Sequence, residues 1–296
     1  MDWTFAGAWP WQPRFYDTSD GRLHYIDEGS ADASAVVFAH GNPTWGFLWR
    51  AFIPPLLDAG HRVVAFDHLG FGRSDKPERS EQYRIPRHVE RTQQLLDALQ
   101  LRDATLVVHD WGGPIALPFA AAHRDVVRRL AIFNTFAPEL PAPMGSGASV
   151  RATAAPLLGS LLVRRRDVAT EDFLFKAGLA HPERLDDAIK EAYRHPHPTP
   201  ASRTAMLVFP REIPWRDRGP VAKLTQQTAA RLREHFADRP ALIVWGLKDI
   251  LFGAGEVLNR WRRTLPQARV VTLEDAGHFL QEDAPDETVA ALTSFV

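Results

Sequence analysis

The sequence predicts an α/β protein in which a mostly parallel, doubly wound sheet is interrupted by an inserted helical segment. Short apolar runs, as expected of strands buried on both faces, alternate with helical patterns in the first half of the chain. After residue 136 the strand signals stop, and they resume only near residue 241. We therefore expect a core of residues 1–136, a helical lid over 137–225, and a second part of the core over 226–296.

The predicted elements follow one another in a regular order. Residues 23–28 roughly alternate, which predicts an early antiparallel strand at the edge of the sheet. Apolar runs predict strands buried on both faces at 35–39 and 62–66, and further strands at 106–108, 129–134, 241–246 and 269–273. Apolar periodicity predicts helices at 48–57, 87–99 and 285–295, with lid fragments at 154–164, 170–180 and 182–193.

The composition limits what the chain can be. It has 296 residues, 45% of them hydrophobic, and a formal net charge of −1, so it can bury a full core. The sequence shows no basic face or run of charge, so we expect neither nucleic acid nor a membrane as a partner. The absence of cysteine excludes disulfides, thiolate metal sites and cysteine nucleophiles. We see no signal peptide and no apolar run near the ~18 residues of a membrane span, and we expect a cytoplasmic enzyme.

One strand-to-helix junction organises the rest of the chain. The apolar run 106–108 leads into His109-Asp110-Trp111-Gly112-Gly113, with Asp110 at the bend and glycines opening the helix. This pattern is typical of the nucleophile elbow of α/β-hydrolases. An aspartate there is ionised at neutral pH and can attack a saturated carbon to form an ester. The alternative is an aspartate that only caps the helix.

Polar residues follow four of the predicted strands, where open α/β sheets bind their ligands. They are Asn42, Asp110 with Trp111, Asp249 and His278. A solvated aspartate or a loop histidine without a role would explain Asp249 or His278 singly. However, nucleophile, acid and histidine occur in the chain order of the α/β-hydrolase triad. We therefore predict Asp110, Asp249 and His278 as catalytic residues.

Taken together, these residues resemble the haloalkane dehalogenases from about Tyr25 to the C-terminus. The match is carried by His40-Gly41-Asn42-Pro43-Thr44-Trp45, by Asp67-His68-Leu69-Gly70-Phe71-Gly72-Arg73-Ser74-Asp75-Lys76-Pro77, by the elbow, and by Ala276-Gly277-His278-Phe279. The second motif is widespread among α/β-hydrolases, whereas Asn42 combined with Asp110-Trp111 is specific. The resemblance implies an α/β-hydrolase fold, no cofactor or metal, and a small halogenated aliphatic substrate that reacts with water.

The resemblance also implies a role for each residue. Asp110 displaces halide from an alkyl carbon, and water then hydrolyses the alkyl-aspartyl ester. His278 is the general base of that second step and Asp249 orients it. The side-chain N–H groups of Trp111 and Asn42 bind the leaving halide, and their backbone N–H groups stabilise the later oxyanion. The products are an alcohol, a halide ion and a proton.

Departures from the family pattern indicate a subgroup. One dehalogenase group has a glutamate just after the strand that corresponds to 129–134, but Phe133-Asn134-Thr135 offers no acid there. The acid must then come from Asp249. Another group that uses this late aspartate has tryptophan, not asparagine, as its second halide donor. The combination of Asn42 and Asp249 resembles the third recognised group of haloalkane dehalogenases. Members of that group tend to self-associate, but no sequence feature here demonstrates a homo-oligomer interface.

Other functions stay open. Epoxide hydrolases share the aspartate nucleophile but use two lid tyrosines, and here only Tyr193 falls in the lid. Defluorinating haloacetate enzymes need a cationic clamp where Trp111 stands. A non-enzymatic ligand receptor on the same scaffold often lacks a triad member, and none is lacking here.

The substrate pocket is less well specified. Leu251, Phe252 and Phe279 are close in sequence to the predicted catalytic residues and are the favoured lining residues. Lid aromatics such as Phe173 and Trp215 are explained equally well by core packing.

Overall fold

The computed structural model describes residues 2–136, 147–215, 218–253 and 255–296, and a single large sheet lies at its centre. The strands are β1 (Arg14–Thr18), β2 (Gly21–Glu28), β3 (Ala35–Ala39), β4 (Arg62–Phe66), β5 (Ala104–Asp110), β6 (Val127–Thr135), β7 (Ala241–Gly246) and β8 (Arg269–Leu273). Their order across the sheet is β1-β2-β4-β3-β5-β6-β7-β8. The pairings from β4 to β8 are all parallel, which confirms the predicted mostly parallel sheet.

The predicted early strand is antiparallel but not at the edge, so that part of the prediction is wrong. β2 pairs with β4 on one side and with β1 on the other, where Arg14 lies opposite Tyr25. β1 is the true edge strand. The sequence prediction missed it because no β1 side chain is buried, and a solvated edge strand carries little apolar signal.

The described helices surround the sheet. They are α1 (Ile53–Asp58), α2 (Ile85–Ala98), α3 (Gly112–Ala122), α4 (Gly147–Ala154), α5 (Pro156–Gly159), α6 (Asp187–Arg194), α7 (Thr204–Arg211), α8 (Pro220–His235), α9 (Glu256–Thr264), α10 (Leu280–Asp283) and α11 (Pro285–Thr293). Short 3₁₀ turns lie at Phe5–Gly7, Gly46–Trp49, Ser80–Tyr83, Pro182–Arg184 and Ala201–Arg203. None of the described helices is long and apolar enough to cross a membrane.

The sheet separates two hydrophobic cores. Alternate residues of β3 point to opposite faces, so Val37 packs with one cluster and Phe38 with the other. Helices α2, α3, α8 and α9 contribute to the first core, and α1 and α11 to the second. Both faces are covered, as a doubly wound sheet requires.

The insertion between β6 and β7 contains only helical elements in its described residues. Besides α4 to α7 it includes two π-helical segments, Ser160–Arg165 and Ala169–Ala177. The first predicted lid residues, 137–146, lie outside the described residues. The predicted boundary at 225 is wrong, because it falls inside α8, which packs on α3 of the core.

Candidate active site

The elbow places Asp110 at a strained bend between β5 and α3. Its φ is +48°, in the left-handed region that side chains other than glycine rarely adopt. Glycine is required at two positions near Asp110, because other atoms lie too close there to leave room for a Cβ. A Cβ on Gly41 would lie 2.2 Å from Asp110 Oδ1, and one on Gly112 would lie 2.2 Å from the Ala39 carbonyl oxygen. The strain and this close packing are typical of a nucleophile elbow, and they argue against a simple helix cap.

The three predicted catalytic residues meet at the ends of their strands. His278 Nδ1 lies 2.9 Å from Asp249 Oδ2, and Nδ1–H donates a hydrogen bond to that oxygen. On the other side of the ring, His278 Nε2 lies 3.5 Å from Asp110 Oδ2, which is longer than a hydrogen bond but close enough for charge attraction. All three side chains are buried.

Four N–H groups hold the Asp249 carboxylate. Oδ1 accepts from the backbone N–H of Leu251 at 2.7 Å and of Phe252 at 3.2 Å. Oδ2 accepts from His278 and, at 2.7 Å, from the side-chain amide of Asn134. Burial raises the pKa of Asp249, but the charge of His278 and these hydrogen bonds outweigh it and lower that pKa.

Asn134 is a site residue that sequence reasoning noticed only as a missing acid. Its carbonyl oxygen accepts from the Gly246 backbone N–H at 2.8 Å, while its amide donates to Asp249. From β6, Asn134 therefore holds Asp249, which lies in the turn after the neighbouring strand β7. Once the sheet order is known, the ends of β6 and β7 are adjacent, and this adjacency identifies Asn134 as a site residue.

The electrostatics of His278 favour its protonated form. Burial lowers its pKa, but the negative charge of Asp249 and the adjacent Asp110 carboxylate raise it to about 9. His109 lies beneath and donates its Nε2–H to the His278 carbonyl oxygen at 2.9 Å. Burial and the nearby charge of His278 lower the pKa of His109 to about 3, so it is neutral. His278 is the cationic partner of both carboxylates.

The loop after β3 brings Asn42 to the nucleophile. The Asn42 backbone N–H donates to Asp110 Oδ1 at 2.8 Å, and the Asn42-Pro43 peptide bond is cis. His40 fixes this loop, because its Nδ1–H donates to the Gly41 carbonyl oxygen and its Nε2 accepts from the His68 backbone N–H. The structure thus brings together Asn42 from this loop and Asp110 from the end of β5, as predicted from the sequence.

The side chains of Asn42 and Trp111 line one cavity with Asp110. Among the described residues, neither the Trp111 indole N–H nor the Asn42 side-chain amide has a hydrogen-bond partner, and Asn42 Oδ1 is buried without one. Donors left free beside a carboxylate in a buried place are able to bind an anion or a leaving group.

The cavity has a volume of about 320 Å³ and is mostly apolar. No tyrosine and no lysine or arginine is among its described lining residues. Its apolar walls include Val150, Val163, Phe173, Met206, Ile213 and Leu251. The cavity therefore suits a small uncharged apolar molecule.

The predicted pocket residues divide in two. Leu251 lines the cavity as expected, but Phe252 and Phe279 do not, so that part of the prediction is wrong. Both are buried against the His278 ring, with ring centroids 5.5 and 4.8 Å away. Phe279 follows His278 directly in the chain, and Phe252 packs between His278 and Phe136, whose ring centroid lies 5.0 Å away. Phe173 both lines the cavity and contacts His278.

Asp283 links the histidine loop to the lid, which the sequence did not indicate. Its carboxylate accepts hydrogen bonds from the backbone N–H groups of Gly277, Ala180 and His181 at 2.7 to 2.9 Å. The backbone N–H of His278 also donates to the Gly178 carbonyl oxygen at 2.8 Å. The position of His278 therefore depends on the lid as well as on the sheet.

Comparison with known proteins agrees with this architecture. The model of the alpha/beta hydrolase fold family matches residues 34–285. A cis-3-alkyl-4-alkyloxetan-2-one decarboxylase of Shewanella oneidensis is 35% identical over 97% of this chain and 89% of its own length. Haloalkane dehalogenase 2 of Mycobacterium tuberculosis is 35% identical over 96% of this chain and 94% of its own.

A solved structure shares the whole fold. The tetrameric haloalkane dehalogenase of Paraglaciecola agarilytica superposes with a TM-score of 0.81 at 28% identity and covers 98% of this chain and 94% of that chain. These likenesses extend over nearly the full length of each protein. The chain therefore belongs to the α/β-hydrolase fold family, as an enzyme of the branch that contains the haloalkane dehalogenases.

Proposed function

We propose that this enzyme hydrolyses haloalkanes to an alcohol, a halide ion and a proton through a covalent ester on Asp110. The observation that carries the proposal is the floor of the cavity. There a carboxylate on a nucleophile elbow lies beside an indole N–H and an amide that have no described protein partner. The apolar walls suit a small halogenated aliphatic molecule, and water is the second substrate.

In the first step, a carboxylate oxygen of Asp110 attacks the halogen-bearing carbon, and the carbon–halogen bond breaks with its electron pair on the halide. Negative charge moves from Asp110 to the leaving halide. We assign the indole N–H of Trp111 and the side-chain amide of Asn42 as the donors that stabilise it, because neither N–H group carries a lone pair facing the halide. Together with Asp249 as the acid, these donors match the third dehalogenase group.

The second step needs His278 to change its protonation state. The carboxylates Asp110 and Asp249 together keep the pKa of His278 at about 9, so the free enzyme holds it protonated at neutral pH. Alkylation removes the charge of Asp110, which lowers that pKa and releases the proton. His278 can then accept a proton from water as the water attacks the ester carbonyl carbon. Asp249 stabilises the imidazolium that forms.

Collapse of the tetrahedral intermediate completes the cycle. We assign the backbone N–H groups of Asn42 and Trp111 to its oxyanion, and the hydrogen bond that Asn42 already makes to Asp110 Oδ1 supports this assignment. The ester C–O bond to the acyl carbon breaks, and the alcohol takes the proton from His278. The carboxylic acid that remains on Asp110 passes its proton to His278, which restores the carboxylate and the protonated histidine.

Trp111→Phe is expected to slow halide release, because it keeps most of the apolar volume and deletes one N–H donor. Loss of an oxyanion-hole donor costs about 2.7–4 kcal/mol in a serine protease, and the softer halide should cost a similar amount or less. Bromide release and halide quenching of tryptophan fluorescence measure the effect. Trp49→Phe is the matched control, because this buried indole N–H also lacks a partner but lies outside the cavity. Unchanged turnover and quenching in Trp111→Phe would exclude the indole as a halide ligand.

Asp249→Asn is expected to impair ester hydrolysis while sparing alkylation. The imidazolium loses its carboxylate, and the equivalent change in a serine protease lowers kcat by about 10⁴. Adding Asn134→Glu should restore part of the turnover, because Asn134 Nδ2 lies 2.7 Å from the Asp249 oxygen that accepts from His278. Steady-state bromide release measures both. Normal turnover by Asp249→Asn would assign the role to another acid, with Glu274 and Asp275 the first to test.

A second candidate function is decarboxylation of an alkyl-substituted β-lactone, which is favoured by the 35% identity to named oxetanone decarboxylases over 97% of the chain. Asp110 would attack C4, the saturated ring carbon that is bonded to the ring oxygen, and break the bond between C4 and that oxygen. This leaves an alkyl ester on Asp110 and a free carboxylate on the neighbouring carbon C3. Loss of CO2 then forms the alkene and expels Asp110 as its carboxylate. This route consumes no water and needs no general base.

The two functions separate in one experiment. The enzyme is incubated with 1-bromobutane, with a cis-3,4-dialkyl oxetan-2-one and with 1,2-epoxyhexane, and products are measured as bromide, alkene and diol. We expect bromide release that His278→Ala reduces to a single turnover. Alkene release that survives His278→Ala would select the decarboxylase. Diol is not expected, because Tyr193 donates its hydroxyl to Glu282 and the described lining of the cavity includes no tyrosine.

A further inference from the structure

A cluster of exposed leucines lies on the lid. Leu157, Leu158 and Leu161 are 88%, 47% and 51% exposed, and they are three of the five large hydrophobic side chains exposed in the described part of the chain. Leu157 and Leu158 belong to α5, and Leu161 follows on the adjoining π-helical turn. Spacings of three and four residues place neighbouring side chains on one helical face. A contiguous apolar surface of this kind indicates a contact site.

Two exposed arginines adjoin these leucines. Arg165 and Arg166 lie about one helical turn after Leu161, at the end of the π-helical segment. Neither guanidinium has an ion-pair or hydrogen-bond partner among the described residues. Of the three carboxylates in the surface pocket that both arginines line, Asp167 pairs with Arg203 and Glu171 pairs with Arg194, and Glu191 makes no ion pair with either arginine. The leucine cluster is therefore bordered by two arginines that form no ion pair within the described part of the chain.

We propose that this lid patch, made of Leu157, Leu158, Leu161, Arg165 and Arg166, docks on the surface of an anionic phospholipid membrane. The leucines would enter the boundary between headgroups and acyl chains, and the guanidinium groups would meet lipid phosphates. A second copy of the chain is less complementary, because a symmetric contact would bring the arginines of both copies together. The proposal revises the expectation of no membrane partner, which was based on overall charge.

The lid segment that carries the patch on its outer side also contributes to the wall of the substrate cavity. Val163 lines that cavity only two residues after the exposed Leu161, and Val150 and Thr153 line it from α4, just before α5. Docking would therefore set this wall of the lid against the bilayer. Apolar haloalkanes and dialkyl lactones both concentrate there from water. The proposal does not depend on which of the two reactions the enzyme performs.

Co-sedimentation with vesicles tests the proposal. We expect the full chain to sediment at low salt with vesicles of equimolar phosphatidylglycerol and phosphatidylcholine, and much less with phosphatidylcholine alone. Salt should weaken the binding, because screening acts on the arginines. The double variant R165E/R166E should bind at least about 30-fold more weakly, because loss of two basic side chains alone costs about that much at such a surface and the new carboxylates are repelled as well. The triple variant L157S/L158S/L161S should lose binding as well.

Matched controls exclude general effects of charge and apolarity. Phe15→Ser removes an exposed aromatic on β1, and R231E/R262E reverses two exposed arginines on α8 and α9. Both should bind vesicles like the wild type, and all variants should keep its melting temperature. No wild-type binding at low salt, or wild-type binding by the leucine variant, overturns the proposal. Self-association that the leucine variant loses, without any vesicle binding, would assign the patch to a contact between copies.

Discussion

Replacing Asp110 with alanine is expected to reduce halide release to the uncatalysed background. No other carboxylate occupies the elbow. Asp172 also lines the cavity, but it is an exposed lid residue whose carboxylate pairs with Lys176, so we do not expect it to take up the alkyl chain. Bromide release from 1-bromobutane, followed by ion chromatography, measures the effect. Substantial bromide release by a folded Asp110→Ala variant would remove the covalent mechanism.

Asp110→Asn is the matched variant for this test. Asparagine tolerates the positive φ of residue 110 better than most residues do, and its carbonyl can still accept the Asn42 backbone N–H. Alanine leaves that buried N–H without a partner, which costs about 1–3 kcal/mol of stability. We expect the melting temperature of Asp110→Asn to be closer to that of the wild type than the melting temperature of Asp110→Ala is. Both variants should be equally inactive at the early time points of the assay. Loss of activity in both variants then reflects the nucleophile rather than misfolding.

His278→Ala should release about one bromide per active site and then stop. Alkylation needs no base, whereas hydrolysis of the ester does, and general base catalysis contributes about 10²–10⁴-fold to such a step. Rapid-quench measurement of bromide gives the amplitude of the burst and the rate that follows it.

His181→Ala provides the control for the loss of a histidine near the same loop. His181 lies in the lid and its ring contacts Asp275 and Glu183 rather than the cavity. This variant should turn over many times. Continued turnover by His278→Ala at a rate near that of the wild type would mean that another group activates water.

Four strands of the sheet were predicted to the residue. β3, β4, β7 and β8 have the predicted bounds, because each is rich in apolar residues and stops at turn-forming or polar residues. The strands β5 and β6 were located, but both extend beyond the predicted 106–108 and 129–134. The exposed strand β1 was missed for lack of an apolar run. The π-helical segments of the lid were predicted only as helical fragments, since their hydrogen-bond pattern leaves no distinct mark in a sequence of this length.

The convergence of Asp110, Asp249, His278 and Asn42 was predictable because parallel strands end at one edge of the sheet. The contribution of Asn134 was not, because it depends on β6 and β7 being neighbours although 112 residues separate Asn134 from Gly246. The same holds for Asp283, which acts through backbone groups of the lid. Nearness in sequence to His278 also gave the wrong role for Phe279, which packs behind the ring.

The covalent ester on Asp110 is the central claim, and intact-protein mass spectrometry tests it most directly. His278→Ala is incubated with 1-bromobutane, its mass is measured, and a proteolytic digest locates any modification. We predict an increase by one butyl group on the peptide that contains Asp110, and no increase in His278→Ala/Asp110→Asn. An unmodified mass in folded His278→Ala that has released bromide, or a butyl group on another residue, would contradict the account.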